Sequence, residues 1–335
     1  MLHLANRSAR IPVIVVMAAM LAGLTGCRAL PARGAGGPAS GGPASGGTDQ
    51  ARWLESGGMR REYLIHLPAG ASSAAGLPVV IALHGRLGTA QGMSTLTHLD
   101  RVADRHRFAV VYPQGYQRSW NDGRPNTPAH RDGVDDVAFV SALIHYLVAA
   151  DRVDASRIYV TGISNGAMLT ERLGCELAGQ LAGIAPVAGP MPVVMAASCH
   201  PVRPIAVLEI HGTADPLVPY GGGQVRGGGQ VRGGGGSGDV VRSVPWTFAR
   251  WRAIDRCVGP PTAAALPDRA HDGTGVSVSR GTSCAAGAPV ALYTVTGGGH
   301  TWPGGVQYLP KILIGATSRQ FDASEVIWKF FSGLG

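Results

Sequence analysis

Apolar and polar positions follow one another along residues 52–335 in a pattern that predicts a series of strands. Residues 61–68 (REYLIHLP) alternate in the way that a strand with one covered face alternates. Nearly continuous apolar runs, typical of parallel strands buried on both faces, occupy residues 78–85, 108–115, 157–162, 182–189, 204–212 and 289–300. The sequence therefore predicts a sheet whose central strands are parallel.

Segments with helical spacing lie between these runs. Residues 134–151 carry apolar side chains three and four positions apart, with Asp135 or Asp136 as the expected N-cap. Further helices are predicted near 90–106, at 166–178 and at 322–335. Strands that alternate with helices predict an α/β fold, with a mostly parallel central sheet and helices on both faces.

A glycine-rich segment interrupts this alternation. The hexapeptide GGGQVR occupies 221–226 and again 227–232, and GGGGSG follows it. The period is shorter than a solenoid unit and two copies are too few to stack. We interpret residues 221–238 as a flexible loop expansion, with a functional lid as the alternative.

The first 26 residues have the pattern of a bacterial lipoprotein signal peptide. Arg7 and Arg10 precede an uncharged apolar run at 11–26, which ends in the sequence LTGC at Cys27. Small residues before a cysteine resemble the lipobox, at which the signal is cleaved and the cysteine is acylated. An ordinary signal anchor with an incidental cysteine is the alternative.

Residues 27–51 contain the repeat GGPAS and are dominated by Gly, Pro, Ser and Ala, which predicts a flexible tether. A catalytic domain is predicted for 52–335. The protein is therefore expected to be exported and either lipid-anchored to the outer face of the cell membrane or secreted.

The charge distribution gives no sign of a nucleic-acid partner. The net charge is +8, but the chain has no run of five basic residues and only two lysines, Lys311 and Lys329. We expect no nucleic-acid binding, and we expect a monomer.

The cysteines fit an exported protein. Cys27 is assigned to the lipid, and the remaining four fall into two pairs that are close in sequence, which predicts the disulfides Cys175–Cys199 and Cys257–Cys284. The other pairings stay open. Zinc-site spacings such as CxxC do not occur, so no metal site is predicted.

Ser164 is the candidate nucleophile. It follows the strand RIYVTG and precedes a helix, with Gly162 and Gly166 on either side. A sharp strand-to-helix turn of this kind exposes a serine oxygen, and it needs small neighbours because the two backbones come close together.

A serine needs a histidine base and an orienting carboxylate, which in this fold follow it along the chain in the order acid, then base. Asp215 lies in the loop after the strand at 204–212, and His300 lies in GGGHTWPGG after the strand at 289–300. His84 and His130 precede the serine, and His211 is expected to support the Asp215 loop.

An acyl-transfer site also needs backbone N–H donors for the oxyanion. Asn165, directly after the nucleophile, is predicted to supply one, and Arg86 in the loop LHGRLG the other. His84 is expected either to brace this loop or to be a packed structural residue.

Taken in order, LHGRLGTA, SWND, VDDVAFV, RIYVTGISNGAMLTERLGC, HGTADPLVPYGGG and GGGHTWPGG resemble the polyhydroxybutyrate-depolymerase-like esterases, which include feruloyl and acetylxylan esterases. The resemblance covers residue 62 to the C-terminus. It implies an α/β-hydrolase fold, hydrolysis of carboxylic esters without a cofactor, and triad roles for Ser164, Asp215 and His300. It also suggests that Trp120 and Trp302 face the cleft, where each could stack on an aromatic acyl group or a sugar, with buried packing as the alternative. Many members have a cysteine where this chain has Arg86.

The predicted function is therefore that of a serine esterase for short-chain, polyhydroxyalkanoate-type or feruloyl and acetyl esters, small or polymeric. Two alternatives stay open. An acyltransferase of the same fold would pass the acyl group to an alcohol, and a surface lipoprotein without activity would only bind ligands.

Overall fold

The computed structural model describes residues 47–70, 76–151, 153–226 and 239–334. The predicted signal peptide, Cys27 and the tether as far as residue 46 lie outside the described residues, as does 227–238 of the glycine-rich loop. No helix of the described ranges is both long enough and apolar enough to cross a membrane.

The strands in chain order are β1 (Thr48–Ser56), β2 (Met59–Leu67), β3 (Leu77–Leu83), β4 (Ala109–Pro113), β5 (Val153–Ile163), β6 (Gly183–Val187), β7 (Ala206–Gly212), β8 (Gly223–Gln224), β9 (Val240–Val241), β10 (Thr262–Ala265), β11 (Gly275–Arg280) and β12 (Val290–Thr296). The helices are α1 (Ala90–Thr97), α2 (Leu99–His106), α3 (Pro128–Arg131), α4 (Asp136–Ala150), α5 (Asn165–Glu176), α6 (Val193–Ala196), α7 (Val244–Ile254), α8 (Lys311–Ile314) and α9 (Ala323–Ser332).

Ten of these strands form one sheet in the order β1-β2-β4-β3-β5-β6-β7-β12-β11-β10. The six strands from β4 to β12 are parallel, and the antiparallel strands lie at the two edges. Parallel neighbours point their carboxyl ends to the same edge, so the loops after β3, β5, β7 and β12 meet there. The predicted α/β-hydrolase fold is confirmed.

Both faces of the sheet are covered, which explains the continuous apolar runs. In β3, Val79 and Ile81 pack in the core formed with α4, α5 and α7. The intervening Val80 and Ala82 pack in the core formed with α1, α2 and α9. Both neighbours in the sequence must then be apolar, because each faces a different buried layer.

Two boundaries differ from the sequence prediction. Strand β1 begins at Thr48, inside the segment predicted as tether, because Thr48 to Ser56 pair in continuous register with β2. The helix expected near 90–106 is two helices, since His98 adopts a left-handed conformation with φ 53° and breaks it. At α4, the N-cap is Asp135, whose side chain accepts a hydrogen bond from Ala138 N.

The two predicted disulfides are present. Cys175 at the end of α5 is bonded to Cys199, and Cys257 after α7 is bonded to Cys284. Cys199 and Cys175 are buried among the apolar residues of the core that α5 shares with the sheet. The two disulfides therefore tie α5 and α7 to neighbouring loops. None of the four cysteines lies in the loops that directly follow β3, β5, β7 and β12.

Candidate active site

Ser164 stands at the sharp turn between β5 and α5. Its backbone has φ 59° and ψ −120°, a conformation that non-glycine residues adopt only where the surrounding structure enforces it. The Ser164 N–H donates to Val187 O at 3.0 Å, which fixes the turn to β6. A Cβ at Gly162 would lie 2.6 Å from the carbonyl oxygen of Gly166, and a Cβ at Gly166 would lie 2.4 Å from that of Leu83, so neither position has room for a side chain.

Asp215 and His300 are joined directly. His300 Nδ1 lies 2.7 Å from Asp215 Oδ2, although 85 residues separate them in sequence. The other carboxylate oxygen accepts hydrogen bonds from the N–H groups of Leu217 and Val218, both at 2.8 Å. Both side chains are buried, and Tyr308 donates its hydroxyl proton to the carbonyl oxygen of His300 at 2.9 Å. The carboxylate thus has a fixed orientation, and its free edge faces the imidazole.

The environment of Asp215 favours its ionised form. Burial acts to raise the pKa of its carboxyl group, but the neighbouring His300 and the hydrogen bonds from His211 and His300 outweigh it and hold the pKa well below its usual value. His211 Nε2 lies 3.4 Å from Asp215 Oδ2 and 2.9 Å from Val218 O. As expected from its position, His211 supports the Asp215 loop.

The loop after β3 lies against the serine. A Cβ placed on Gly85 would be 3.4 Å from the Cβ of Ser164, and Gly88 N donates to Gly85 O at 2.9 Å to close the loop. Within the described residues, the N–H groups of Arg86 and Asn165 have no hydrogen-bond partner. Both predicted oxyanion donors are therefore available beside Ser164.

His84 braces this loop. Its Nδ1 donates to Gly85 O at 2.8 Å, and its Nε2 accepts from Gly115 N at 3.0 Å. This pattern requires the neutral ring with the proton on Nδ1, and burial lowers the pKa of His84 to about 4. Of the two roles considered for His84, the structure shows the bracing one.

The side chain of Asn165 is locked by a polar network that the sequence did not reveal. Asn165 Oδ1 accepts from Trp120 N at 2.8 Å, and Asn165 Nδ2 donates to Asp122 Oδ2 at 2.7 Å. Arg124 donates to Asp122 and to Asp239, and all of these side chains are buried. The network holds the first residue of α5, whose N–H has no partner among the described residues.

Of the two roles considered for Trp120 and Trp302, the structure shows buried packing and not a position facing the cleft. Both rings are fully buried. Trp120 Nε1 donates to His84 O at 2.8 Å, and Trp302 Nε1 donates to Ser324 Oγ at 3.0 Å. Each indole has an apolar body and one donor, so it is stable in the core when that donor is satisfied. The two residues support the loops around Ser164 and His300.

Two buried carboxyl groups lie on the elements that carry the site, one on α5 after Ser164 and one on β7 before Asp215. Glu171 on α5 accepts from Trp251 Nε1 at 2.6 Å through one oxygen, and its other oxygen has no partner among the described residues. Both oxygens of Glu209 on β7 also lack one there. Burial raises the pKa of Glu171 to about 8, and burial together with the charge of Glu171 raises the pKa of Glu209 well above its usual value.

Outside this site, one group of side chains in the described residues has its potential metal-ligand atoms close together, but these atoms already have other partners. Ligand atoms of Asp49, His66 and Asp100 lie within 4.8 Å of one another. However, His66 Nδ1 is 2.6 Å from Asp49 Oδ1, and its Nε2 is 3.1 Å from Asp104 Oδ1, so both ring nitrogens face carboxylates. This cluster joins the start of β1 to α2 as an ion-pair network.

Comparison with known proteins places this geometry in context. The sequence model of a family described as "Esterase PHB depolymerase" matches residues 61–218. A putative esterase, NocK, from Nocardia uniformis subsp. tsuyamanensis is 32% identical over 287 residues, which cover 85% of this chain and 83% of that protein.

Two further similarities extend the comparison. Feruloyl esterase B from Piromyces equi is 28% identical over 253 residues, covering 72% of this chain and 42% of that enzyme. The solved structure of an acetyl xylan esterase from Aspergillus awamori matches with a TM-score of 0.56 at 14% identity, covering 85% of this chain and 100% of that one. At this identity the structural likeness concerns the fold alone.

Proposed function

Because the chain belongs to the esterase family of the PHB depolymerases and is a carboxylic-ester hydrolase, we propose that it acts through an acyl-enzyme on Ser164. The observation that carries this proposal is the strained turn at Ser164. It lies at the same edge of the sheet as the hydrogen-bonded pair of Asp215 and His300. Strain of this kind persists at sites where it positions a reacting group.

The first half of the reaction forms the acyl-enzyme. Ser164 Oγ attacks the ester carbonyl carbon while His300 Nε2 accepts its proton, and the tetrahedral intermediate then expels the alcohol, which takes that proton from His300. Asp215 holds the ring with its proton on Nδ1, because the carboxylate oxygen at 2.7 Å can only accept. Nε2 is therefore left free to act as the base.

The second half releases the acid. A water molecule gives a proton to His300 Nε2 and its oxygen attacks the acyl carbon, and the collapse of the intermediate returns the proton to Ser164. In both halves the negative oxygen is stabilised by the N–H groups of Arg86 and Asn165. The network around Asn165 supports this role, since it fixes the residue whose N–H must point at the oxyanion.

The substrates that we propose are esters of short acyl chains, of hydroxyalkanoates, or of acetyl and feruloyl groups. The support comes from the relatives, whose names refer to feruloyl esters and acetylxylan, and from a depolymerase C of Paucimonas lemoignei named for poly(3-hydroxyalkanoate). Hydrolysis by an esterase of this kind needs no cofactor, because the acyl group is carried by the serine itself.

We also propose that the mature protein is anchored to the outer face of the membrane through an acylated Cys27. The sequence LTGC and the tether after it support this, and two disulfides are compatible with export. In a bacterial host, Cys27→Ser should release active protein into the medium. A variant that stays bound to the membrane would show that another anchor holds it.

Labelling with a fluorophosphonate probe tests the nucleophile. The wild-type protein should be labelled and Ser164→Ala should not, whereas Ser156→Ala, a substitution of an exposed serine at the amino-terminal part of β5, should be labelled like the wild type. Turnover of 4-nitrophenyl acetate with and without an added alcohol then separates hydrolysis from acyl transfer. Labelling that persists in Ser164→Ala would contradict the proposed nucleophile.

A further inference from the structure

Arg86 brings a positive charge to the edge of the reaction site. It follows Gly85, the residue whose added Cβ would lie 3.4 Å from the Ser164 Cβ. Its side chain is half-buried. Arg86 therefore stands on the loop that we propose to supply an oxyanion donor, directly after the residue that lies against Ser164.

The guanidinium of Arg86 has no partner within the described part of the chain. All 21 acidic residues lie in that part, and none forms an ion pair with Arg86. Its side-chain nitrogens are in contact with solvent, because none of them is both fully buried and without a hydrogen bond. A half-buried arginine without a carboxylate differs from Arg61 and Arg124, whose buried charges are paired with Asp136, Asp122 and Asp239.

The nearest acidic groups are already occupied. Burial lowers the pKa of the Arg86 guanidinium, the charges of Arg124 and Arg131 lower it further, and those of Asp239 and Asp122 act in the opposite direction. Both carboxylates are bound by Arg124, and Asp122 also accepts from Asn165. Arg86 is therefore a positive group close to this network, and no described residue binds the donors of its guanidinium.

We propose that Arg86 binds an anionic group of the substrate, and that the preferred esters carry a carboxylate a few bonds from the scissile carbonyl. The planar fork of a guanidinium matches a carboxylate with two parallel hydrogen bonds. An anion there completes the ion pair that the chain itself leaves open. This inference rests on the proposed function, because it assigns the substrate class of the same site.

The test compares esters that differ only in one charge. The first pair is 4-nitrophenyl hydrogen adipate and 4-nitrophenyl adipamate, with the charge in the acyl part. The second pair is O-acetylglycolate and O-acetylglycolamide, with the charge in the alcohol part. For wild-type protein, kcat/KM should be higher for the acid than for the amide in one of the pairs, and the pair concerned shows which side of the ester Arg86 reaches.

Substitution then links this preference to the side chain. Arg86→Gln should lower kcat/KM for the preferred acid about 10- to 100-fold more than for its amide twin, the range expected for a lost charged hydrogen bond. Arg86→Lys should keep part of the preference, since it keeps the charge and loses the fork. The matched control is Arg101→Gln, which changes an exposed arginine on α2 and should leave both rates unchanged.

A salt titration of the wild type needs no variant. The preference for the acid should fall as NaCl is added, while the rate with the amide stays level. Equal rates for acid and amide in both pairs, or equal losses in Arg86→Gln, would overturn the inference and leave the esterase function intact. A protein that turned over none of the esters and was not labelled by the fluorophosphonate would instead overturn the proposed function, and the inference with it.

Discussion

Replacement of Asp215 by asparagine tests the wiring of the site most directly. The change keeps the shape of the side chain and alters one group from acceptor to donor. Asp215 Oδ1 accepts from two backbone N–H groups at 2.8 Å, so the amide oxygen must occupy that place. The amide nitrogen then faces His300 Nδ1, which lies 2.7 Å from the replaced oxygen.

This orientation forces the imidazole into the wrong tautomer. An NH₂ group opposite Nδ1 can only donate, so Nδ1 must accept and the ring proton must move to Nε2. Nε2 then cannot take the proton of Ser164. The same substitution in a serine protease lowers kcat about 10⁴-fold, or about 5.5 kcal/mol, and we expect a loss of that order here.

Other carboxylates cannot compensate from their present positions. Asp136 is paired with Arg61 and accepts from Asn121 N, and Asp135 caps α4. The loss in Asp215→Asn should therefore appear in full.

The assay is kcat for 4-nitrophenyl acetate, with the melting temperature measured alongside. Asp215→Asn should stay folded at the assay temperature, because the hydrogen bonds to Leu217 and Val218 are kept, but it should melt below the wild type, because the ionised carboxylate that the site favours is lost. Asp132→Asn, at an exposed position, is the matched control and should retain full activity. If Asp215→Asn kept more than about a tenth of the wild-type kcat, an effect far from the expected 10⁴, the assignment of Asp215 as the orienting acid would be refuted.

Three further predictions concern the turn, the buried acids and the repeat. Gly166→Ala would place a Cβ 2.4 Å from a carbonyl oxygen of β3, so we expect kcat/KM to fall at least about 100-fold, whereas Gly179→Ala, which has room, should be silent. Glu209→Gln should become more stable relative to the wild type as the pH rises. Between the unfolded pKa of Glu209, about 4.3, and its raised folded pKa, the folded wild type holds one proton more than the unfolded chain. The unfolding free energy of the wild type therefore drops by about 1.4 kcal/mol per pH unit in this range. Thermal melts at a series of pH values check this, and a constant difference would contradict it. Deletion of residues 227–232, one copy of GGGQVR, should leave kcat/KM within about two-fold and change the unfolding free energy by less than about 0.6 kcal/mol, since loop closure depends weakly on length; a larger change in rate would favour the lid.

Much of the fold could be predicted because each central strand is buried on both faces. A run such as PVVIALHG must then be apolar throughout, and this pattern is visible without any knowledge of partners. The edges were harder to predict. Residues Thr48 to Ser56 are mostly exposed and polar, so β1 owes its existence to pairing with β2 and not to a pattern of its own.

The residues of the site also differ in whether a local sequence pattern identifies them. Ser164, Asp215 and His300 each follow a strand, so local sequence was enough to identify them as candidates. The network of Asp122, Arg124 and Asp239 joins residues up to 115 positions apart and has no local signature. Similarly, no pattern in the sequence distinguishes a tryptophan that lines a cleft from Trp120, whose single donor is satisfied inside the core.

The segment that contains the repeat is held on both sides: Gly223 and Gln224 pair with β9, Arg226 N donates to Leu217 O, and Asp239 binds Arg124. Because these contacts fix both ends, residues added between them change only the length of a closed loop, at small entropic cost. Arg124 links Asp239 to Asp122 and through it to Asn165, so we expect Asn165, the proposed oxyanion donor, to keep its position when the length of the loop is changed.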